Sequence, residues 1–507
     1  MNNTEVASVC IVGGGTAGWL TAAFLSRNLP TLKITLVESP NIPTVGVGEA
    51  TILNFDKFLK FCGFTEAEWM SECDAIYKAG ILYPDWTGNK IDVWHPFAQI
   101  PRFKDTKYIT LADVFYNTDL DPELFYQLVL ANYDNCVIHN KVPTAQQMAY
   151  HLDAVKLAGF LTKKVSPYIT YYKEDVVDVE SNGENISKLT ITNIGDITAD
   201  LYIDCTGFKR LLSDKIKGAK WVDKSYMLPN NAAIATPISY IDQPNEMKPF
   251  TTAQPMEHGW LWKTPIQSRI GSGLVYNRDL LSDDDAIKMF TEYWGEDRLV
   301  TGKFNKIKWD PKYNSNNWRG NCVSIGLASG FLEPLESTGL ALITAPVAIL
   351  HQMISKGWYG DLEKDMFNNE MSMMYNDATD FVGMHYMNTN RTGPYWDHVR
   401  DTWRPSETLE LKIKQHRRDL TRIWATTEYT IMGDHSWNVW FHAIGVYGRP
   451  RSMEENKDSK KFLAHNYITL NKHDHRKWST NYEIMMQNNE SKGMFDLPYK
   501  IKTGTIE

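Results

Sequence analysis

The sequence has few features of a protein that is stabilised by disulfide bonds, binds a metal or spans a membrane. Its six cysteines are scattered, the closest two, Cys62 and Cys73, are eleven positions apart, and there is no C-x-x-C pair. This spacing excludes a disulfide framework and the usual zinc motifs, and it fits reduced thiols. No apolar run reaches the roughly 18 residues of a membrane-spanning helix, and the first residues lack the basic region of a signal peptide. We therefore expect a cytoplasmic protein with no bound metal and no membrane partner.

An excess of positive charge is also missing. The chain has 53 Lys and Arg against 61 Asp and Glu, a net charge of −8, so a nucleic-acid partner is not expected. Charged residues (22%) and hydrophobic residues (43%) occur at globular levels. Tryptophan, in contrast, is abundant: 17 among 507 residues. Building a core does not require so many indoles, so this abundance needs another explanation.

The first forty residues predict a β-α-β unit with a glycine-rich turn. Val9–Val12 is the first strand, a helix then extends to about Arg27, and Lys33–Glu38 is the second strand. The turn follows the G-x-G-x-x-G pattern through Gly13, Gly15 and Gly18. In this pattern the first glycine allows a tight turn, the second lets a pyrophosphate approach, and the third lets the helix pack on the strand. The pattern predicts a dinucleotide site, and the alternative is a glycine turn that only caps a helix.

Two later positions refine this prediction. Glu38 follows Gly18 by 20 residues and ends the second strand, where a ribose hydroxyl would be held. The apolar strand before Thr206 and Gly207 ends in the T-G pair that is typical of a second nucleotide contact in FAD proteins. An ordinary strand and turn would explain this pair equally simply. Elsewhere, helical patterns cover about 51–79 and 145–167, strands dominate 170–205 and 220–325, and helices dominate from about 335.

Several further segments together resemble the flavin-dependent tryptophan halogenases. In chain order they are Gly13–Trp19, Gly46–Thr51, Lys78–Trp86, His95–Phe97, Tyr150–Ala154, Gly259–Ile266, Gly330–Gly339, and His385–Tyr386 with Arg391 and Pro394–Trp396. The match extends, with gaps, from about residue 8 to about 450. One position departs from the family's W-x-W-x-I-P motif, because Thr264 stands in its fifth place.

The resemblance implies an α/β fold with an FAD-binding Rossmann-type core, of the glutathione-reductase-like or flavin-monooxygenase-like kind, and a mainly helical substrate module. We expect the FAD-binding module to occupy 1–350, discontinuously, with substrate-side insertions near 80–145 and 215–300. The helical module would then occupy 351–507.

The resemblance also implies a reaction. Reduced FAD would react with O2 to give a flavin hydroperoxide, and a halide (chloride, bromide or iodide) would convert this to hypohalous acid. The acid would then reach an indole, a tryptophan-like molecule or another electron-rich aromatic held in a separate module. A separate NADH-dependent flavin reductase would supply the FADH2, since no second nucleotide fingerprint is present. We further expect a homo-oligomer.

Two residues match the family's catalytic pair. Lys78 would form a haloamine as a neutral amine, or polarise hypohalous acid as an ammonium; a surface lysine on a helix is the plain alternative. Glu336 would stabilise the cationic intermediate of the aromatic ring and take its proton. Glu333 lies one helical turn earlier and is the alternative carboxylate. Either acid could instead serve only to stabilise a helix N-terminus.

The remaining site residues are assigned by the same resemblance. Thr338 and Gly339 would bind the halide, although Ser337 or Thr338 could simply cap the following helix. His95 and Phe97 would sandwich the substrate ring, with core packing an equally good explanation. Trp437 would complete that site, yet it and Trp440 fit core packing better. The FAD contacts would be Gly13, Gly15, Thr16, Ala17, Gly18, Glu38, Gly48, Glu49, Ala50, Gly207 and Gly326.

Two other functions remain open at this stage. A flavin monooxygenase that hydroxylates or epoxidises would share the fold but would need neither Lys78 nor Glu336. A non-catalytic flavin-binding protein would also have no need of these two residues. Trp260 and Trp262 alternate along a predicted strand and should face the same side; no chemical step is assigned to them.

Overall fold

The computed structural model describes residues 6–43, 46, 48–97, 142, 148–418, 431–446 and 479–490. Most of the expected insertion near 80–145 therefore lies outside the described residues, and so does Cys136. The strands, in chain order, are β1 Ser8–Val12, β2 Lys33–Val37, β3 Glu49–Ala50, β4 Ile76–Lys78, β5 Gly80–Tyr83, β6 Val93–Pro96, β7 Ala149–Leu152, β8 Thr170–Tyr172, β9 Val176–Ser181, β10 Ile186–Ile191, β11 Gly195–Ile197, β12 Leu201–Asp204, β13 Trp221–Asp223, β14 Ala232–Ile238, β15 Phe250–Met256, β16 Gly259–Pro265, β17 Ile270–Tyr276, β18 Asn305–Lys308, β19 Lys312–Asn314, β20 Trp318–Arg319, β21 Cys322–Ser324 and β22 Gly330–Phe331.

The helices are distributed along the whole chain and become dominant after residue 340. They are α1 Thr16–Asn28, α2 Phe55–Phe61, α3 Glu66–Glu72, α4 Ala154–Val165, α5 Gln243–Glu246, α6 Asp283–Trp294, α7 Ala341–Ser355, α8 Asp361–Met384, α9 Pro394–Thr402, α10 Glu407–Arg418, α11 Asp434–Ala443 and α12 Asn481–Glu490. The chain divides into two units. The first consists of 1–75, 152–228 and 309–379, and the second of 76–151, 229–308 and 380–507.

The first unit contains a six-stranded sheet in the order β20-β21-β12-β1-β2-β8. Strand β1 lies at its centre and pairs in parallel with β2 and with β12. The β1 residues Val9 to Val12 are all buried, as expected for a central parallel strand covered on both faces. This α/β arrangement confirms the predicted Rossmann-type core, and the predicted β1, α1 and β2 are correct to within one residue at nearly every end.

The second unit contains a seven-stranded sheet in the order β18-β14-β17-β16-β15-β5-β6. Most of its neighbours are antiparallel, whereas β15 and β5 run parallel. Helix α6 covers this sheet, begins after the capping hydroxyl of Ser282, and buries Phe290 and Trp294. In a separate antiparallel pair, β4 is bonded to β7.

The structure corrects three sequence-based expectations. The helical pattern over 51–79 ends early, because residues 76–78 form strand β4 and not a helix. Residues 149–152 likewise form strand β7 ahead of α4. Both segments are short and buried, and a hydrophobic pattern cannot distinguish a strand from a helix over so few residues.

The expected division at residue 350 also differs from the observed one. Residues 309–379 belong to the first unit, whereas 229–308, with five strands of the large sheet, belong with 380–507. In this unit the described residues of 380–507 form helices, and those of 229–308 supply most of the strands. Contacts between strands that are distant in sequence define this grouping, and a helical pattern cannot reveal them.

Among the described residues, no helix is long and apolar enough to cross a membrane. The described cysteines, namely Cys10, Cys62, Cys73, Cys205 and Cys322, are free and buried.

Candidate active site

The glycine-rich turn of the first unit is sterically locked at two of its glycines. Gly13 has φ +115°, and a Cβ placed there would lie 2.2 Å from the carbonyl oxygen of Cys205. A Cβ on Gly18 would lie 1.8 Å from the carbonyl oxygen of Gly13. These contacts hold α1 against the turn and the turn against the end of β12, so that only glycine fits at both positions.

Gly15 differs from these two glycines, because a Cβ placed there would meet nothing within 4 Å. It precedes α1, whose first turn has no side-chain cap and no acidic residue. Backbone N–H groups at such a helix start have no partner within the helix and favour an anion. The open space at Gly15 and this uncapped helix start fit a pyrophosphate. Thr16 and Ala17 form the same first turn, and a Cβ on Gly326 would lie 2.9 Å from that of Ala17.

Glu38 lies directly over the turn. Its side chain crosses Gly14, where a Cβ would come within 2.2 Å of the carboxyl carbon. Its carboxylate accepts a 2.8 Å hydrogen bond from the Tyr171 hydroxyl. Burial, and then this hydrogen bond, raises the pKa of Tyr171. Gly14 and Tyr171 were not identified from the sequence. The G-x-G-x-x-G pattern leaves its second position free, and Tyr171 comes from β8, far along the chain.

The end of β12 is organised by the carboxylate of Asp204. One oxygen accepts hydrogen bonds from the backbone and hydroxyl of Thr206, and the other accepts from the backbone N–H groups of Leu212 and Ser213. This fully bonded carboxylate fixes the T-G turn, in which Gly207 has φ +65° and open space beside its Cα. Asp204 therefore has a structural role.

Glu49 stands on β3, after Gly48, which has φ +99°. Burial, and then the charge of Asp153, raises the pKa of Glu49 to about 7. Asp153 itself caps α4 by accepting hydrogen bonds from the N–H groups of Val155 and Lys156. Glu49 is therefore an acid that holds its proton close to neutral pH, and Ala50 follows it on the same strand.

Glu336 and Glu333 are both completely buried carboxylates of the first unit. Glu336 ends a 3₁₀ turn, Pro334–Glu336, and Ser337 follows in the left-handed region at φ 59°. Helix α7 starts only at Ala341, its N-cap is Leu340, and no side-chain cap is present. Helix capping by Ser337 or Thr338 is therefore wrong, and neither glutamate lies in the first turn of that helix. Thr338 is buried, whereas Gly339 is exposed with open space around it.

Lys78, in the second unit, is the last residue of strand β4 and is completely buried. The alternative of a surface lysine on a helix is thus wrong. Its ammonium nitrogen lies 4.6 Å from the centre of the Phe97 ring. Ala149, directly opposite Lys78 on β7, has only a methyl group and leaves room for the long side chain.

A continuous series of ring contacts starts at Phe97. The rings of Phe97 and His95 have centres 5.5 Å apart, His95 lies 5.5 Å from Phe381, and Phe381 lies 5.0 Å from Trp437. His95, Phe381 and Trp437 are completely buried. The second unit therefore brings Lys78 and the three predicted substrate residues into one aromatic cluster, which also includes Phe381. Trp440 packs beside it, with its centre 3.6 Å from that of His385.

Trp260 and Trp262 face the same side of β16, as predicted, with ring centres 6.3 Å apart. Trp260 is buried and Trp262 is half-buried. Thr264, at the position that departs from the family motif, is buried on the same strand.

Comparison with known proteins supports the family. A family model described as tryptophan halogenase matches residues 8–459. The tryptophan 6-halogenase ThaL of Streptomyces albogriseolus is 32% identical over 461 residues, covering 85% of this chain and 86% of that protein. The tryptophan 7-halogenase RebH of Lentzea aerocolonigenes is 33% identical over 441 residues, 82% of each protein. The crystal structure of the tryptophan 6-halogenase SttH from Streptomyces toxytricini has a TM-score of 0.85 at 27% identity, covering 95% of this chain and 99% of that one.

The α/β fold and these relatives define a flavin-dependent halogenase. The chain belongs to the tryptophan halogenase family. Membership supports halogenation over hydroxylation or epoxidation, and over a non-catalytic flavin-binding role.

Proposed function

We propose that this enzyme halogenates tryptophan or a related indole with reduced FAD, O2 and a halide, and that Lys78 and Glu336 are its catalytic residues. One observation carries the proposal: a completely buried lysine lies against an aromatic cluster built from Phe97, His95 and Trp437. Burying a lysine costs free energy unless it is paired or hydrogen-bonded, and buried ionisable groups concentrate at functional sites. A binding protein would have no need of such a group.

The FAD would bind to the first unit. The uncapped start of α1 and the open space at Gly15 support a pyrophosphate there, and the carboxylate of Glu38 is placed to accept from a ribose hydroxyl. Gly207, with open space beside it, and Gly326, next to Ala17, would border the same cofactor. The segment Gly48–Ala50 would complete the contacts.

Bound FAD in its reduced form, together with O2 and the halide, supplies hypohalous acid. Lys78 would hold this oxidant, either by hydrogen bonding from its ammonium or as a haloamine formed on its neutral amine. Its complete burial supports both forms, because burial excludes the water that would compete for the oxidant. The face of the Phe97 ring, 4.6 Å from the lysine nitrogen, is a suitable neighbour for the ammonium form.

Glu336 would act on the aromatic ring. With hypohalous acid held by the ammonium of Lys78, the electron pair of a ring C=C bond attacks the halogen and the oxygen–halogen bond breaks. The departing hydroxide takes a proton from that ammonium and leaves as water, and the proton that the ring loses in the next step makes up for it. The ring carbon then loses its own proton to the carboxylate of Glu336, which restores aromaticity. Its complete burial supports this role, because a carboxylate in a site of low dielectric interacts strongly with a developing positive charge.

The halide would lie at Thr338 and Gly339. Ser337 turns the backbone there through the left-handed region, and Gly339 has space for an anion beside it. We further propose that a separate NADH-dependent reductase supplies reduced FAD, and that the enzyme works in the cytoplasm. The free, buried thiols support that compartment.

The test is a product assay. Purified enzyme receives FAD, a flavin reductase, NADH, bromide and L-tryptophan or indole, and the products are analysed by mass spectrometry for the two-isotope signature of bromine. We expect a monobrominated indole. Absence of product with bromide and chloride across a broad panel of electron-rich aromatics would refute the proposed function.

A further inference from the structure

A buried histidine lies beside the proposed catalytic lysine and has no role in the account so far. In the antiparallel pair of β4 and β7, His151 is opposite Ile76, and Lys78 is opposite Ala149. Tyr77 and Tyr150 pair between them, on the other face, with ring centres 5.7 Å apart. Lys78 and His151 therefore project from the same face as diagonal neighbours. Both side chains are completely buried.

The imidazole of His151 is held from a different strand. Its Nε2 lies 2.8 Å from the Oγ1 of Thr251, on β15, and the two share a buried hydrogen bond. Thr251 is itself buried. This contact fixes the orientation of the ring. The other ring nitrogen, Nδ1, takes no part in it. A specific hydrogen bond therefore orients His151, in addition to the packing that any core residue has.

The surroundings of the ring determine its charge. Burial, and then the positive charge of Lys78 on β4, hold the pKa of His151 well below its usual range, while the carbonyl of Pro265 on β16 acts in the opposite direction. Strand β15 contributes only the neutral hydroxyl of Thr251 to the described polar contacts of the ring. His151 is therefore uncharged at neutral pH.

We propose that His151 is a positioning residue for Lys78: its ring, anchored by Thr251 and diagonal to Lys78 on the same buried face of the β4–β7 pair, directs the lysine side chain. This inference rests on the proposed role of Lys78 in halogenation. A second positive charge on the same buried face would drive the lysine to lose its proton, since like charges in a buried site cannot both persist.

The direct test measures the coupling between the two groups. Protein labelled with ¹³C-histidine is titrated by NMR, and the His151 signal is assigned by its loss in His151→Gln. We expect His151 to stay neutral at mildly acidic pH, and its pKa to rise by about one pH unit in Lys78→Met, which removes the charge. Lys288→Met, at an exposed lysine of α6, should leave it unchanged. An ordinary His151 pKa in the wild type, or no shift in Lys78→Met, would overturn the inference.

A second set of variants tests the anchor and remains informative if Lys78→Met does not fold. Thr251→Val removes the hydroxyl but keeps the shape. We expect several-fold less halogenated product per reduced flavin oxidised, with an unchanged KM for the aromatic. The matched control is Thr236→Val, at a buried threonine of β14 whose hydroxyl has no hydrogen-bond partner among the described residues. His151→Gln, whose amide can still bond Thr251, should retain more product than His151→Leu.

Wild-type product yield in both Thr251→Val and His151→Leu would refute the positioning role. The two proposals fail in distinguishable ways. If the wild type halogenates no aromatic, the proposed function fails, while the NMR titration still reports whether His151 and Lys78 are coupled. If the wild type halogenates and the coupling is absent, only the role of His151 is lost.

Discussion

The ammonium nitrogen of Lys78 lies 4.6 Å from the centre of the Phe97 ring. The face of an aromatic ring attracts a cation, and the attraction grows when both are shielded from water, as they are here. Phe97 is thus the residue through which the proposed catalytic lysine meets the aromatic cluster of the second unit. A change at Phe97 should alter both the lysine and the binding of an aromatic substrate.

Replacing Phe97 by Leu tests this double role. Leucine keeps the site apolar but removes the ring face, worth about 0.5 to 2 kcal/mol to a nearby cation. We expect a higher KM for the aromatic and less product per flavin oxidised. The comparison is Phe290→Leu, in the core of the large sheet and α6, which should change stability but not the KM. Equal KM values in Phe97→Leu and wild type would argue against a substrate contact.

The two buried glutamates can be separated by matched substitutions. Glu336→Gln keeps shape and burial but removes the base, and we expect kcat to fall by about 100-fold or more. Glu333→Gln makes the same chemical change one turn earlier and should have a much smaller effect. Steady-state rates, with FAD affinity measured in parallel, distinguish the two. A larger loss in Glu333→Gln would transfer the proposed role to that residue.

The glycine turn gives opposite expectations for two similar substitutions. Gly18→Ala puts a methyl group 1.8 Å from the carbonyl oxygen of Gly13, so the apo protein should lose stability by about 1 to 3 kcal/mol. In Gly15→Ala the added methyl group meets no atom of the described residues within 4 Å, so the apo protein should keep its melting temperature and lose FAD affinity.

Thermal unfolding measures the stability of both glycine variants, and flavin titration measures their affinity for FAD. Gly159→Ala is the control, at an exposed glycine inside α4 with open space around it, and it should stabilise slightly. Unchanged FAD affinity in Gly15→Ala would contradict the proposed pyrophosphate position.

Glu49 should make stability depend on pH. Its folded-state pKa of about 7 lies above its usual value because of burial and Asp153. The folded state therefore binds an extra proton, and the resulting stability is fully present at acidic pH and is lost as pH rises towards and through 7. Glu49→Gln should remove this dependence and stabilise the apo protein at pH 8 relative to wild type. Glu184→Gln, at an exposed position, should leave the pH dependence unchanged. If the stability of wild type and of Glu49→Gln changed with pH in the same way, the proposed effect of Glu49 would be refuted.

The sequence predicts the fold of the proposed FAD-binding part well because that part is local. The strand, the glycine turn, α1 and β2 follow each other within forty residues. The pattern already contains the steric reason for Gly13 and Gly18, and it already leaves Gly15 open. Glu38 could be placed for the same reason. Its partner Tyr171 could not, because β8 reaches β2 only through the pairing of distant strands.

The second unit illustrates the opposite case. Lys78 lies on a strand, where a helix was expected, and its burial depends on β7, which is more than seventy residues away in sequence. Family motifs identified Lys78, His95 and Phe97, but not Phe381, which links His95 to Trp437. An aromatic residue inside a helical pattern is indistinguishable from ordinary core until its neighbours are known.

The abundance of tryptophan is largely explained by burial. Trp19, Trp69, Trp86, Trp94, Trp260, Trp318, Trp396, Trp437 and Trp440 are among the largest fully buried side chains. In the second unit several of them contact one another or the aromatic cluster, as Trp86 does with Trp396. Their number reflects an aromatic interior, and the order of the motifs remains the better guide to chemistry.

The most direct test of the central claim compares Lys78→Met with wild type in a single turnover. Enzyme loaded with reduced FAD receives O2, bromide and L-tryptophan, and brominated product is counted per flavin oxidised. Lys263→Met, which removes a lysine stacked on Tyr293 and Trp294 of the same unit, serves as the control. We predict that Lys78→Met oxidises its flavin but forms no brominated product, while wild type and control form it. Wild-type product yield from Lys78→Met would contradict the account.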